Sequence, residues 1–273
     1  MKKILLLSAF LLCNIVISQT TQQAGDWDDT ATWGGTVPSN TANIVIAHSI
    51  DVDDTRACNS ITINSGARLD VEATLTVATT SVNNGTLWVK TGDMTLTAGD
   101  FTNNGNLRVL AGYDLVFADA GTTLTNTGSI NIYSSATAFG SLLLSGTYSG
   151  GSGDIEYSRY IAGTDYWDLI GSPLSGGSIG DFIDLNDDIA TNGSSPTVYA
   201  LGYYTNTSGA SSTNGGWTNY TSSDYDAAGN LISARGYQMA TDAAATGSEM
   251  TFYGTILTGD VARTLTTNEA GNA

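Results

Sequence analysis

The sequence predicts an all-β chain built around a parallel β-helix, and three observations support this. The first is composition: Gly, Ser, Thr and Asn are plentiful, whereas Lys and Glu are scarce, a balance that favours strands and turns over helices. The second is a repeat, because "NNGTLWV" from Asn83 returns as "NNGNLRV" from Asn103. The third is that apolar and polar residues alternate after each repeat, which is the period of a strand.

The repeat continues along the chain when it is aligned on a glycine. The glycines are spaced by 19, 20, 23 and 25 residues, at Gly66, Gly85, Gly105, Gly128 and Gly153. The strands that follow them give one inward apolar column of Leu69, Leu87, Leu107, Ile130 and Ile155, and an outward column of Asp70, Trp88, Arg108, Asn131 and Glu156. A unit of roughly 20 residues cannot bury its own apolar face, but stacked units can. We therefore expect about five coils over residues 44–160, right-handed as solenoids usually are.

An asparagine stands two residues before each of the first four glycines, at Asn64, Asn83, Asn103 and Asn126. Asparagine side chains form hydrogen bonds with nearby backbone at bends. Because these four recur at one position of the coil, we expect them to stack as a structural ladder, with the glycine at the sharpest part of the turn.

Three further segments flank the coils. Residues 1–18, "MKKILLLSAFLLCNIVIS", have the basic start, apolar run and small final residue of a secretory signal peptide. Residues 19–43 contain Trp27 and Trp33 and are expected to cap the N-terminal end of the β-helix, because terminal solenoid repeats are atypical. Residues 161–273 are rich in aromatics with irregular spacing, which predicts an antiparallel β-sandwich-like domain, incomplete at its C-terminus.

Charge and residue counts exclude several classes of function. The chain has a formal charge of −17, and removal of the signal peptide takes away two lysines to give −19, so no nucleic-acid partner is expected. No second apolar stretch is long enough to span a bilayer, so the mature chain is not expected to insert into a membrane. Cys58 alone cannot form an internal disulfide, and His48 alone excludes zinc sites with two imidazoles.

One acidic loop and one group of aromatics are candidate binding sites. Asp184, Asn186 and Asp188 have the D-x-N-x-D spacing of a calcium loop, although the glycine and glutamate of an EF-hand are missing. Apart from calcium there, no cofactor is expected.

The candidate carbohydrate-binding residues are Trp217, Tyr220 and Tyr204, whose rings offer flat faces to sugars, with core packing as the competing interpretation. Trp167 and Tyr237 are assigned to the core. Trp88 and Arg108, on adjacent coils, are expected to form a stabilising cation–π contact.

Several motifs together resemble a known family. They are "GDWDDTATWGGTVP" from Gly25, "RYIAGTDYWDLIGSPL" from Arg159, "ARGYQM" from Ala234 and "MTFYGTILTG" from Met250. The chain resembles the secreted multi-domain surface proteins of Bacteroidetes, especially flavobacteria, that the type IX secretion system exports. It departs from them at Ala234, where the family often has glycine. The resemblance implies an extracellular or surface-bound, adhesin-like protein whose chain usually continues into further modules, and it assigns no catalytic residue.

We therefore expect a non-enzymatic extracellular surface or adhesion module that binds glycans or another cell-surface or matrix component. The alternative is a polysaccharide-active β-helix enzyme, either a lyase or a glycoside hydrolase. Hydrolysis of a glycosidic bond needs two carboxylates about 5 to 10 Å apart. The feature that separates the two is whether Asp51, Asp53, Asp70 or Glu72 share one face of the coils with Arg68.

Overall fold

A computed structural model describes residues 18–161, 167–205, 216–242 and 247–264. In chain order, the strands of the parallel part are β1 (Ser18–Thr20), β2 (Gly25–Asp26), β3 (Asn43–Ile46), β4 (Ser49–Val52), β5 (Arg56–Cys58), β6 (Ser60–Ile63), β7 (Arg68–Val71), β8 (Leu75–Val77), β9 (Ser81–Asn83), β10 (Thr86–Val89), β11 (Met94–Leu96), β12 (Phe101–Asn103), β13 (Asn106–Val109), β14 (Asp114–Phe117), β15 (Thr123–Asn126), β16 (Ser129–Ile132), β17 (Ser141–Leu144), β18 (Thr147–Gly150) and β19 (Asp154–Ile161).

The remaining described elements are β20 (Asp168–Ile170), the helix α1 (Ile179–Leu185), β21 (Val198–Tyr204), β22 (Trp217–Thr221), β23 (Tyr237–Met239) and β24 (Ser248–Tyr253). Strands therefore dominate, and the all-β prediction is confirmed. No helix in the described ranges is long and apolar enough to cross a membrane.

The parallel part is a β-solenoid of about five turns, as predicted. Each turn contributes one strand to each of three sheets, which we call A, B and C. Sheet A runs β1-β3-β6-β9-β12-β15-β18, sheet B runs β2-β4-β7-β10-β13-β16-β19, and sheet C runs β5-β8-β11-β14-β17. Within sheet B the predicted inward column is in register: Leu69, Leu87, Leu107, Ile130 and Ile155 are consecutive partners and all are buried.

The repeated glycine is needed for close packing between turns. A Cβ atom at Gly105 would overlap the carbonyl oxygen of Gly85, and one at Gly128 would overlap that of Gly105. Neither residue has a positive φ, whereas Gly66 has a φ of +84° and open space around it. The sequence therefore located these corners correctly, but the physical reason is the approach of neighbouring backbones.

The segment before the first full turn also joins the solenoid. β1 pairs with β3 and β2 with β4, so this segment adds part of a turn to sheets A and B. Trp27 and Trp33 are buried with ring centroids 5.1 Å apart in an edge-to-face arrangement. The Trp33 indole N–H donates to the Trp27 carbonyl oxygen at 2.6 Å. The two rings extend the apolar interior of the coils toward the N-terminus.

Parallel stacking ends where β24 pairs with β19 in the antiparallel sense. Beyond it lies a small antiparallel sheet of four strands in the order β20-β23-β21-β22. One face of that sheet is buried through Leu201, Tyr237 and Met239. The helix α1 lies against β24, with the Phe182 and Phe252 rings 4.7 Å apart. This part is antiparallel as predicted, and it is small.

Candidate functional sites

The asparagine ladder runs through the interior of the solenoid at the end of sheet A. The Asn83 side-chain amide donates to Asn103 Oδ1 at 2.7 Å, and the Asn103 amide donates to Asn126 Oδ1 at 2.7 Å. Each amide also reaches a backbone carbonyl, such as Ser129 O, which is 3.0 Å from Asn103 Nδ2. All three side chains are buried. Their hydrogen-bonding groups are used within the fold, so the ladder is structural.

Asn64 does not belong to this ladder, contrary to the prediction. In the register of sheet A it is Ile63 that pairs with Asn83, and Asn64 is exposed. The first repeat has one more residue between its glycine and its strand than the others. Alignment on the glycine therefore placed Asn64 opposite Asn83 in the inward column. In the structure that inward position belongs to Ile63, and Asn64 is the next residue, on the outside.

The predicted calcium loop is occupied by other contacts. Asn186 Oδ1 accepts from the Thr251 backbone N–H at 2.8 Å, and its side-chain amide donates to Phe182 O at 2.6 Å. Asp184 accepts from the Tyr225 hydroxyl at 3.0 Å, and Asp188 accepts from Ser248. The segment is the end of α1 tied to β24, so its three side chains do not converge on one cation. The D-x-N-x-D spacing here reflects capping and packing.

The three aromatics proposed for sugar binding lie on two different faces of the small sheet. Tyr204 and Trp217 are paired in register, and their ring centroids are 5.3 Å apart. Tyr204 is 46% exposed, whereas Tyr220 is only 7% exposed and packs against Tyr203. Tyr220 therefore belongs to the buried side, and only Tyr204 and Trp217 remain as candidates on the open side.

Sheet register shows what else lies on that open side. Leu169 is opposite Gln238, Gln238 is opposite Gly202, and Gly202 is opposite Asn219. Residues opposite each other in a sheet share a face, and so do residues two apart along a strand. Trp167 lies on the same face, because it is two residues before Leu169 and lines a cavity of about 250 Å³ together with Asn219. Trp167 is 49% exposed and Leu169 is 76% exposed, so the assignment of Trp167 to the core is wrong.

We call this surface the aromatic face, and its residues are Trp167, Leu169, Tyr204, Trp217, Asn219 and Gln238. Its middle is low and polar, because Gly202 has no side chain and the Gln238 amide donates to Asn219 Oδ1 at 2.6 Å. Trp217 on the edge strand β22 and Tyr204 on the neighbouring β21 lie at one side, and Trp167, which precedes the other edge strand β20, lies at the opposite side. Opposite partners within a sheet depend on register, and the sequence alone did not provide the register of these four strands.

A second candidate is a charged surface on the outside of sheet B. Consecutive partners there are Asp26, Asp51, Asp70, Trp88 and Arg108. The carboxylates of Asp51, Asp70 and Glu72 lie within 4.8 Å of one another. Asp51 and Asp70 are partners on adjacent turns. The sequence did not predict this pairing, because the turn that contains Asp51 has no Asn-x-Gly motif by which it could be aligned. Asp51, Asp70 and Glu72 therefore do share one face with Arg68.

The Asp70 carboxylate is enclosed by its neighbours. Arg68 Nε is 3.0 Å from Asp70 Oδ1, and Lys90 Nζ is 3.7 Å from Asp70 Oδ2 and 2.6 Å from Glu72 Oε1. Asp70 is only 1% exposed. Burial raises the pKa of Asp70, Arg68 and Lys90 oppose this rise, and Asp51 and Glu72 add to it. The arrangement is an ion-pair network on the coils, with Asp70 shielded from solvent.

Trp88 separates two arginines of this surface. The guanidinium carbons of Arg68 and Arg108 lie 5.4 Å and 5.1 Å from the centre of the Trp88 ring. The predicted contact between Trp88 and Arg108 is therefore confirmed, and Arg68 adds a second one. A cation–π contact contributes about 0.5–1 kcal/mol at exposed sites. Three adjacent turns are linked in this way.

These carboxyl groups predict that the protein becomes less stable as the pH rises above about 4. The neighbouring Asp53 carboxylate raises the pKa of Asp26, and burial raises that of Asp70, above the ordinary value of 3.8. A carboxyl whose pKa is raised by folding stabilises the protein fully below its unfolded value, and this contribution is lost as the pH passes the folded value. Urea unfolding should thus give a smaller free energy near pH 6 than near pH 4. In Asp70→Asn this difference should shrink, and an unchanged difference would contradict the assignment.

Comparison with known proteins adds nothing to these observations: no protein-family model, curated protein or solved structure matches the chain.

Proposed function

We propose that this protein is an extracellular surface module that binds glycans through the aromatic face. The single observation that carries the proposal is that face, with exposed rings on both sides of a polar amide floor. The basic and apolar N-terminus, the net charge of −17 and the resemblance to type IX secretion substrates support a secreted, surface-associated protein. In this proposal the partner is a neutral polysaccharide or the glycan part of a cell-surface or matrix component.

The chemistry of the aromatic face suits a sugar chain. Carbohydrate rings have apolar C–H faces and polar hydroxyl edges, and exposed tryptophan and tyrosine offer large rigid surfaces with a polar handle. Trp217 and Tyr204 stand at one side and Trp167 at the other, and the Gln238 amide lies at the floor between them. The Asn219 amide is held in place, because its oxygen accepts from Gln238 and its Nδ2 donates to the Tyr199 carbonyl oxygen at 3.0 Å. A small number of placed polar groups among aromatics is typical of ligand sites. The closed interior of the solenoid makes it a rigid support for this domain.

The architecture of the proposal includes two finer features. Residues 19–43 would act as a cap, because Trp27 and Trp33 bury apolar surface next to the first full turn. Residues 161–273 would form a sandwich-like binding domain with the aromatic face turned outward. We expect catalysis to play no part in glycan binding by this domain.

The test is binding of the full chain to immobilised neutral polysaccharides, with Trp217→Ala and Trp167→Ala as variants. Loss of a ring that anchors an interface usually costs more than 1 kcal/mol, so each variant should weaken binding by about tenfold or more, since tenfold corresponds to about 1.4 kcal/mol.

The matched control for these variants is Leu143→Ala. Leu143 is an apolar residue on β17 that is about as exposed as Trp167, whereas Trp217 is half-buried. It lies away from the aromatic face, and its substitution should leave glycan binding unchanged. Equal binding by all three variants would overturn the role of the aromatic face.

A second candidate function is hydrolysis or elimination on a polysaccharide at the surface of sheet B. The observation that favours it is the grouping of Asp51, Asp70 and Glu72 with Arg68 and Lys90. One observation opposes this function. Asp70, the member of the group whose pKa is raised, is enclosed by its neighbours, whereas a general acid must reach its substrate. Release of reducing ends or unsaturated uronates that disappears in Asp51→Asn and Glu72→Gln would establish this activity. No release from a panel of neutral and acidic polysaccharides would remove it.

A further inference from the structure

The side of the small sheet opposite the aromatic face has an open polar cavity, and Asn219 is the one residue of the aromatic face that also borders it. Its volume is about 410 Å³, and Tyr203, Thr218, Tyr220, Asp224 and Arg235 contribute to its lining. Tyr203, Thr218 and Tyr220 belong to β21 and β22, whereas Arg235 precedes β23. The cavity therefore joins one guanidinium, one carboxylate and several hydroxyls in a small space.

The Arg235 side chain is held in place by tyrosine rings. Its guanidinium carbon lies 4.5 Å from the centre of the Tyr203 ring and 5.6 Å from that of Tyr237. Stacking on aromatic faces fixes the plane of a guanidinium and leaves its edge N–H groups free to bind. The ring of Tyr203 itself packs against Tyr220, with centroids 5.5 Å apart. Three tyrosines thus hold one cation in a defined orientation.

No acidic side chain neutralises Arg235 within the described ranges. Arg56, Arg68 and Lys90 each have a carboxylate within 4.0 Å, whereas Arg235, like Arg108 and Arg159, has none among the described residues. Arg235 differs from Arg108 in bordering this polar cavity, so its charge is open to a ligand there. A guanidinium offers five N–H donors in a fixed plane that matches a carboxylate.

The remaining groups define what else a ligand must carry. Asp224 uses Oδ1 to accept from the Thr221 backbone N–H at 2.7 Å, which leaves Oδ2 for a hydroxyl donor. Burial raises the pKa of Tyr220 to about 12, so its hydroxyl remains a neutral donor at physiological pH. A ligand with one carboxylate and several hydroxyls can place its charge at Arg235 and donate hydroxyl hydrogen bonds to Asp224, and so use both ends of the cavity.

We propose that this cavity binds a uronic acid, with its carboxylate on Arg235 and its hydroxyls on Asp224, Thr218 and Tyr220. The sugar ring would lie against the tyrosine faces. The proposal goes beyond glycan binding at the aromatic face, because it concerns different residues on the other side of the same sheet and a charged sugar. Either site can exist without the other.

The experiment is isothermal titration of the full chain with glucuronate, its neutral methyl ester, glucose and acetate. We expect saturable binding of glucuronate only. Arg235→Gln should weaken it by about tenfold or more, because charge-assisted bidentate hydrogen bonds are lost. Arg235→Lys should also weaken it, since an ammonium lacks the planar fork. Tyr220→Phe keeps the ring, so it tests the hydroxyl even if changes at Arg235 disturb folding.

Arg159→Gln is the matched control, because Arg159 also stacks on an aromatic ring, at 4.4 Å from the centre of Phe139, but lies outside this cavity. It should bind glucuronate as the unmodified chain does. Undetectable glucuronate binding, equal binding of the methyl ester or acetate, or unchanged binding in both Arg235→Gln and Tyr220→Phe would each overturn the proposal. Trp217→Ala should retain glucuronate binding, which separates this site from the aromatic face.

Discussion

Leu96→Asp is expected to prevent folding of the parallel β-solenoid. Leu96 is the last residue of β11 and is fully buried between Val77 and Phe117 in the column of sheet C. Removing a buried leucine side chain costs about 2–5 kcal/mol, and an unpaired buried carboxylate adds a cost of several kcal/mol more. Together these costs approach the typical total stability of a domain, about 5–15 kcal/mol. Circular dichroism should show loss of the β-sheet signal and of a cooperative melt.

The matched control for this variant is Thr95→Asp, the same substitution one residue earlier. Thr95 is only partly buried and points outward between Thr76 and Val116. Its replacement should change the unfolding free energy by about 0.5 kcal/mol, as is usual for surface positions. Similar losses in the two variants would show that the inward and outward columns of sheet C have been assigned incorrectly.

The sequence was sufficient to predict the solenoid because each of its turns repeats one pattern. Alternation gives the two faces of a strand, and the Asn-x-Gly corner marks where each turn begins. The prediction lost accuracy where the corner changes: an extra residue shifted Asn64, and the turn of Asp51 has no glycine at all. Both errors have one cause: the turns were aligned on glycine alone, whereas hydrogen-bonded pairing between backbones decides which residues are neighbours in the solenoid.

Prediction of the candidate sites was less successful because they depend on pairing between distant segments. Trp167, Gln238 and Asn219 come from three separated stretches, and only the antiparallel register of the small sheet brings them to one face. Composition indicated exposed aromatics in this half but could not assign Tyr220 and Trp217 to opposite sides. The spacing of Asp184 to Asp188 was also misleading, since Asp184 accepts from the Tyr225 hydroxyl and Asn186 joins the end of α1 to β24.

The second large effect is expected from Asn103→Ala, in the middle of the asparagine ladder. Asn103 accepts from Asn83 and donates to Asn126, both at 2.7 Å, and is fully buried. Alanine removes one member and leaves a buried donor on one neighbour and a buried acceptor on the other. Each unsatisfied group costs about 1–3 kcal/mol, so we expect an unfolding free energy lower by about 3 kcal/mol. Urea titration measures this directly.

Asn104→Ala tests whether that loss comes from burial or only from the number of hydrogen bonds. Asn104 is exposed and takes part in a parallel set of contacts on the outside, donating to Asn84 Oδ1 at 2.9 Å and accepting from the Thr127 hydroxyl at 2.7 Å. Water can replace both partners there, so the expected cost is below about 1 kcal/mol. If burial is what makes the ladder stabilising, Asn103→Ala should lower the free energy of unfolding clearly more than Asn104→Ala. Equal costs would mean that the solenoid opens enough at this corner for water to replace the inner contacts as well.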